Sequence, residues 1–206
     1  MKRTIICSLP FKPNIQKVLY KDTGMTLATT NREVRFPINA ILDANLKEDD
    51  EIKIILVVKK DQNKYYEENQ SLFLEELDSV CIDRKVSIKI DIIYSDFSEN
   101  KEVHDKLFAE LIDQIEDESH IIADVTYGPK DIPVVFFSAL SFCEKHLGCD
   151  IDGIIYGQAQ FGDHHDIVEG KMCDMNALFF LNSISSTVQC GDSEKARQLL
   201  KTLLSF

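Results

Sequence analysis

Apolar residues form two kinds of pattern along this chain, and the two kinds alternate. Four continuous apolar runs, at 4–8, 51–59, 120–125 and 151–156, predict strands buried on both faces of a parallel sheet. A fifth run, VSIKIDIIY at 86–94, alternates apolar and polar residues, which predicts a strand nearer an edge. Helical spacing predicts helices at 36–46, 66–84, 103–115, 132–146, 175–188 and from 193 to the end. This order predicts the α/β class, with a Rossmann-like, mainly parallel sheet flanked by helices and further helices at the C-terminus.

Two segments have no comparable pattern. Within 11–35, the pieces 18–20 and 25–29 flank a Lys-Asp-Thr-Gly turn and predict a small hairpin, or a mobile flap because they are rich in Thr. The segment 159–173 shows no periodicity and is predicted to be irregular. We therefore expect one domain over 1–206, with an α/β core at 1–158 and a loop plus helices at 159–206. Asp174 and Ser193 are the predicted caps of the last two helices.

The stretch at 119–158 contains a strand, a polar loop, a helix and a second strand. Its loop, Thr126-Tyr127-Gly128-Pro129-Lys130, opens a helix, and backbone amides at such a position attract anions. The helix at 132–146 is apolar on nearly every face and is predicted to pack centrally, with Gly148 just after its end. Another interpretation stays open, in which D-x-T-x-G is only a turn whose Asp124 and Thr126 satisfy backbone amides.

A ligand pocket is predicted where these strands end. The first strand ends at Ser8-Leu9, the second strand of the central stretch ends at Tyr156, and open α/β sheets bind ligands at the carboxyl ends of their strands. After Tyr156, a polar turn is predicted at Gly157-Gln158. No G-x-G-x-x-G, Walker lysine motif or G-x-S-x-G elbow follows a strand, which disfavours dinucleotide oxidoreductases, nucleotide triphosphatases and α/β-hydrolases.

Charge and hydropathy limit the partners and the compartment. The 206 residues carry a formal net charge of −12 and a pI near 4.8, which disfavours binding of long nucleic acid. No apolar run reaches the roughly 18–20 residues of a membrane span, and the apolar part of the N-terminus is too short for a signal peptide. We expect a soluble, cytoplasmic protein.

Neither a metal ion nor a cofactor is predicted. The six cysteines are scattered without a C-x-x-C pair and are expected to be reduced core residues. His164 and His165 lie beside Asp163 and Asp166, but without spaced partners they favour a solvated loop over a metal site.

Two segments carry a resemblance to a known family. DVTYGPKDIPVVFFSAL, followed by DGIIYGQ, resembles the D-x-T-x-G-x-(R/K) helix and the I-x-Y-G signature of CARF domains, the CRISPR-associated Rossmann-fold domains of type III systems. VRFPINAILDANLKEDDEIKIILVVKK and DMNALFFLNSI…LLKTLL are also similar to parts of that family, so the resemblance covers nearly the whole chain.

The resemblance implies a homodimer that binds a cyclic oligoadenylate, an antiviral second messenger, across its two-fold axis. Thr126, Gly128 and Lys130 match the family's ligand-contacting loop, Ser8 and Leu9 match its first loop, and Tyr156, Gly157 and Gln158 lie near by. Tyr127 stands where many members carry His, and Pro129 where many carry a bulkier residue. Two-fold symmetry requires an even number of nucleotides, which leaves tetra- and hexa-adenylate open.

Two functions are compatible with this resemblance. In a stand-alone ring nuclease, a ribose 2′-OH attacks the adjacent phosphate without a metal, Lys130 stabilises the developing charge, and Ser8 and Thr126 orient ribose or phosphate oxygens. In a non-catalytic sensor, sponge or regulatory part of an effector assembly, the ring is bound but not cut. The chain ends at Phe206 without room for a nuclease, and it has no R-x-x-x-x-H pattern. A transcriptional regulator is disfavoured because no basic helix-turn-helix follows the α/β unit.

Overall fold

One seven-stranded sheet organises the first 174 residues of the chain. The computed structural model describes residues 2–82, 84–98, 100–162, 167–187 and 189–204. It has two compact units, Met1–Asp174 and Met175–Phe206. The strands of the first unit are β1 Lys2–Ser8, β2 Tyr20–Asp22, β3 Glu51–Lys60, β4 Ser87–Asp96, β5 His120–Asp124, β6 Asp150–Phe161 and β7 Ile167–Asp174.

The strand order is β2-β7-β6-β5-β1-β3-β4. The five strands from β6 to β4 are mutually parallel, β7 is antiparallel to β6, and β2 is parallel to β7. The predicted α/β class with a mainly parallel, Rossmann-like sheet is therefore confirmed. β4 lies at the edge of the sheet, as its alternating pattern predicted.

In the first unit, helices connect the parallel strands and pack against the sheet. The first unit contains α1 Pro37–Asn45, α2 Tyr65–Cys81, α3 Lys101–Gln114 and α4 Asp131–His146; the second contains α5 Asn176–Thr187 and α6 Ser193–Leu204. β3 is buried without interruption from Ile54 to Val58, which is why it reads as a continuous apolar run. No helix in the described ranges is both long enough and apolar enough to cross a membrane.

The hairpin predicted within 11–35 is wrong. Of this segment only Tyr20–Asp22 forms a strand, and it pairs in parallel with the neighbouring strand β7 rather than with 25–29. The Asp22 carboxylate accepts the amides of Gly24 and Met25, both at 2.9 Å, and so turns the chain away after β2. Val18 instead forms an isolated antiparallel bridge with Val34.

The prediction that 159–173 is irregular is also wrong at 159–161 and 167–173, which lie in strands β6 and β7. β6 does not turn away at Gly157-Gln158 but continues to Phe161, and β7 pairs back along it, with Gln158 opposite Lys171. Polar residues on one face of this antiparallel pair, such as Gln158 and Gln160, remove the apolar signal that buried strands show. The α/β core therefore extends past the predicted boundary at 158 to Asp174. The His164-His165 pair lies outside the described residues.

Three smaller predictions also need correction. α4 is not covered on every side, because 65% of Val134 and 36% of Phe142 are exposed. Asp192 rather than Ser193 accepts the first amides of α6, from Glu194 and Lys195. Asp174 ends β7, two residues before α5 begins, and its role as the cap of α5 stays a prediction. Of the cysteines, three are buried, Cys81 and Cys173 are half-buried, and Cys190 is exposed. Gly148, with φ of +66°, does follow the last turn of α4 as predicted.

Candidate functional site

A cavity of about 660 Å³ opens at the carboxyl ends of β1, β5 and β6. These strands are parallel neighbours, so the loops that follow them meet at one edge of the sheet. The volume lies within the range of small-ligand sites. The lining residues come from the segment after β1, from β2, from the loop after β5, and from β6 and β7: Pro10, Phe11, Lys12, Pro13, Asn14, Ile15, Gln16, Val18, Tyr20, Thr126, Tyr127, Gly128, Tyr156, Gly157, Ala159, Phe161 and Ile167.

Five of the predicted site residues line this cavity, namely Thr126, Tyr127, Gly128, Tyr156 and Gly157. The other four lie elsewhere. Leu9 is buried in the core and its amide donates to the Val57 carbonyl at 3.2 Å. Lys130 is exposed at the residue before α4, and Gln158 is exposed on β6. Ser8 is buried behind the cavity wall.

Ser8 joins the two predicted loops to each other. Its hydroxyl donates to the Tyr127 carbonyl, so the end of β1 holds the loop that follows β5. Gly128 has a φ of +100°, and a Cβ there would lie 2.9 Å from Ser8 Oγ and 3.1 Å from Ile132 Cγ1. Both the backbone conformation and the close approach therefore require glycine at this position.

The Asp124 carboxylate links the cavity loop to α1. Its Oδ1 accepts the Thr126 amide at 2.8 Å, and its Oδ2 accepts the Ile38 amide at 3.1 Å. Burial raises the pKa of Asp124 to about 6, although hydrogen bonds from Thr126 and Ile38 act in the opposite direction. The Thr126 hydroxyl in turn accepts the Gly157 amide at 2.7 Å. Asp124 and Thr126 thus satisfy backbone amides, as the turn interpretation predicted, and the same loop also lines the cavity.

A second buried carboxylate, Glu76 of α2, binds the start of α1. It accepts the amides of Arg35 at 2.8 Å and Phe36 at 3.1 Å, and the Asn39 side chain at 3.0 Å. Phe36, the N-cap of α1, has no side chain that could do this itself. Sequence reasoning missed Glu76; the signal was an acidic residue between the buried positions Phe73 and Leu77 of an amphipathic helix.

Two tyrosines, Tyr20 and Tyr127, contribute largely buried side chains to the cavity lining. The Tyr127 hydroxyl donates to the Arg35 carbonyl at 2.8 Å, and its ring meets Phe36 edge-on at 6.2 Å between centroids. Burial raises the pKa of Tyr127 and of Tyr20 well above the ordinary value for a phenol, and the nearby Asp124 charge adds to the shift. Both phenols are therefore protonated at neutral pH and neither serves as a base.

The rim of the cavity is aromatic and carries one cation. Tyr156 and Phe161 of β6 are 37% and 62% exposed, and Phe11 lies on the opposite segment. Among the described lining residues Lys12 is the only charged side chain. Sequence reasoning missed Phe11, Lys12, Tyr20 and Phe161; a Pro-x-x-Pro segment directly after a buried strand was the available signal.

The start of α4 is anchored beside the cavity loop. Asp131, its first residue, pairs with the buried Lys59 ammonium at 3.3 Å and with His104 Nε2 at 3.0 Å. Lys130 therefore precedes a fixed helix end. Within the described ranges, no group of three or more His, Cys, Asp or Glu residues is arranged to hold a metal ion.

No protein-family model matches the chain, and a search of curated proteins found no significant match. Membership of the CARF family therefore stays a prediction that rests on the residues of the motif.

Proposed function

We propose that the protein binds a cyclic oligoadenylate in this cavity, as part of type III CRISPR antiviral defence. The observation that carries the proposal is the cavity at the ends of β1, β5 and β6, which combines exposed aromatic rings with a glycine loop and one lysine. An adenylate offers flat bases that stack on aromatic side chains and phosphates that bind amides and cations. The D-x-T-x-G-x-K motif supports the same ligand, because its Thr126 and Gly128 line the cavity.

The bases and the phosphates of the ligand have candidate partners in the cavity and beside it. Tyr156 and Phe161 offer exposed rings on β6, on which an adenine can stack. The Gly128 loop leads into the N-terminus of α4, where the exposed Lys130 ammonium favours a phosphate. The Ile132 amide is already bonded to the Pro129 carbonyl at 3.1 Å, and Pro133 has no N–H, so the lysine supplies this attraction. A homodimer would present two such cavities to one ring, which again requires an even number of nucleotides.

The bound ring is then cleaved without a metal. One ribose 2′-oxygen forms a bond to the adjacent phosphorus while the bond from phosphorus to the 5′-oxygen breaks, and the 2′-OH proton ends on that 5′-oxygen. The products are a 2′,3′-cyclic phosphate and a 5′-hydroxyl. Lys130 stabilises the charge on the phosphate oxygens, and the in-line geometry supplies the remaining acceleration. Ser8 and Thr126 act through the loop, since their hydroxyls bind the Tyr127 carbonyl and the Gly157 amide.

A second candidate is binding without cleavage, as a sensor, a sponge or a regulatory part of an effector. Two observations favour it. Both candidate hydroxyls are already engaged within the protein. The described lining also contains no His, Asp or Glu that could accept the 2′-OH proton.

The deciding experiment is incubation of the metal-free protein with labelled cyclic tetra- and hexa-adenylate, followed by separation of bound, cyclic and linear species. Linear products from the wild type, lost in Lys130→Ala, support the ring nuclease. Tight binding that leaves the ring intact supports the sensor. Failure to bind either ring would overturn the proposed function.

A further inference from the structure

The segment after β1 forms one wall of the cavity and is held rigidly by its own sequence. Pro10 and Pro13 fix two backbone angles, and Pro13 also restricts Lys12, the residue before it, to extended conformations. Asn14 then adopts a φ of +57°, which turns the chain. The backbone of Lys12 therefore has little freedom, whereas its side chain is exposed at the cavity.

A buried side chain of α2 holds this segment from behind. Asn69 is 1% exposed, and its Nδ2 donates to the Pro10 carbonyl at 2.7 Å and to the Lys12 carbonyl at 2.9 Å. Asparagine is a poor helix former, and its Oδ1 here is buried without a hydrogen-bond donor in the described structure. An apolar residue would suit this helix position better, so the two bonds to the segment account for the asparagine.

The neighbour of Lys12 is held as well. The Phe11 ring packs against Phe97, with the centroids 5.4 Å apart and the planes at 67°. Lys12 is thus an exposed cation on a constrained backbone, and it is the only charged side chain among the described residues of the lining.

We propose that Lys12 binds a phosphate of the ligand in this cavity and that Asn69 is its positioning residue. This inference rests on the proposed function and refines it: within the cavity itself the cation comes from the segment after β1, and Lys130 serves the helix end outside the lining. A phosphodiester oxygen is the ligand group that a lysine binds by a charge-assisted hydrogen bond. Presentation on a fixed backbone lowers the entropy lost on binding.

The first test is equilibrium binding of cyclic tetra- and hexa-adenylate to Lys12→Ala, Lys12→Arg and Lys17→Ala. Lys17 is the matched control, because it is an exposed lysine of the same segment that does not line the cavity. We expect Lys12→Ala to weaken binding by about 10- to 100-fold, Lys12→Arg to retain most of it, and Lys17→Ala to stay within about two-fold. Binding should also depend less on salt in Lys12→Ala, a change that a purely structural defect would not produce.

The second test is a double-mutant cycle with Asn69→Ala. If Asn69 acts through Lys12, its substitution weakens binding in the wild type but has little further effect in the Lys12→Ala background. Circular dichroism and thermal unfolding establish that each variant is folded before binding is measured.

The two proposals fail in different ways. A wild type that binds neither ring overturns the proposed function and this inference together. A wild type that binds, with Lys12→Ala binding equally well, overturns the role of Lys12 alone. Additive losses in the double-mutant cycle overturn the positioning role of Asn69.

Discussion

The Asp124 carboxylate accepts the backbone amide of Ile38 at 3.1 Å, across 86 positions of the chain. The residue that ends β5 therefore also binds the first turn of α1. Because its other oxygen accepts the Thr126 amide, one buried side chain determines how the cavity loop lies relative to that helix. This relationship makes the site sensitive to protonation at a single position.

Stability should fall with rising pH through the titration of Asp124. Its pKa is about 6 in the folded protein and about 4 when unfolded, so between these values the folded state holds the extra proton. The protonated Asp124 side chain contributes up to about 3 kcal/mol to the free energy of unfolding. This contribution is fully present below about pH 4 and is lost as the pH rises through 6. Urea unfolding of the wild type and Asp124→Asn from pH 4 to 7 measures this difference. Parallel pH profiles for the two proteins would contradict it.

Gly128→Ala should destabilise the protein by about 1–3 kcal/mol and abolish ligand binding, because both the positive φ and the approach to Ser8 Oγ oppose a Cβ. Gly24→Ala is the matched control. Gly24 has a similar φ of +97° but no atom within 4 Å of a Cβ, so this variant bears the backbone strain alone. The additional variant Gly128→Ala/Ser8→Ala should recover part of the difference in the free energy of unfolding. If Gly128→Ala and Gly24→Ala lower the free energy of unfolding equally, the close approach of Ser8 and Ile132 to residue 128 does not contribute to the effect.

Glu76→Ala should lower the free energy of unfolding by about 2–4 kcal/mol. The substitution leaves two amides at the start of α1 and the buried Asn39 side chain without their acceptor. The neighbouring Glu75 is exposed on the same helix, so Glu75→Ala should change stability by less than about 0.5 kcal/mol. Urea unfolding compares the two variants. A Glu76→Ala variant as stable as Glu75→Ala would exclude Glu76 as the cap of α1.

Lys130→Ala should lower the rate of ring cleavage by more than it weakens binding, because an electrostatic stabiliser acts mainly in the transition state. Single-turnover cleavage and equilibrium binding, measured on the same preparation, separate the two effects. Lys145→Ala, at the other end of α4, controls for the loss of one exposed charge from this acidic protein. Unchanged cleavage in Lys130→Ala would remove this residue from the mechanism.

The strands that the sequence predicted correctly are those whose environment is uniform. β1, β3 and β5 are covered on both faces and read as apolar runs, and β4 alternates because it lies at an edge. β2 and β7 were missed for the opposite reason. β2 has three residues, and β7 contains Gly170, where the close approach of Val18 leaves no space for a Cβ. β2 is too short to show a pattern, and β7, IVEGKMCD, shows neither a continuous apolar run nor a regular alternation that would distinguish it from a loop.

The candidate site likewise has features that the local sequence predicts and features that depend on tertiary packing. The sequence determined the alternation of strands and helices and the D-x-T-x-G loop, because periodicity and turn chemistry are local properties of the chain. Only the tertiary structure decided that Lys12 lines the cavity while Lys130 does not, and that Asp124 and Glu76 bind the start of α1. Those relationships join residues 40 or more positions apart. They depend on how the sheet and helices pack, and this packing produces no recognisable pattern in the sequence around each residue.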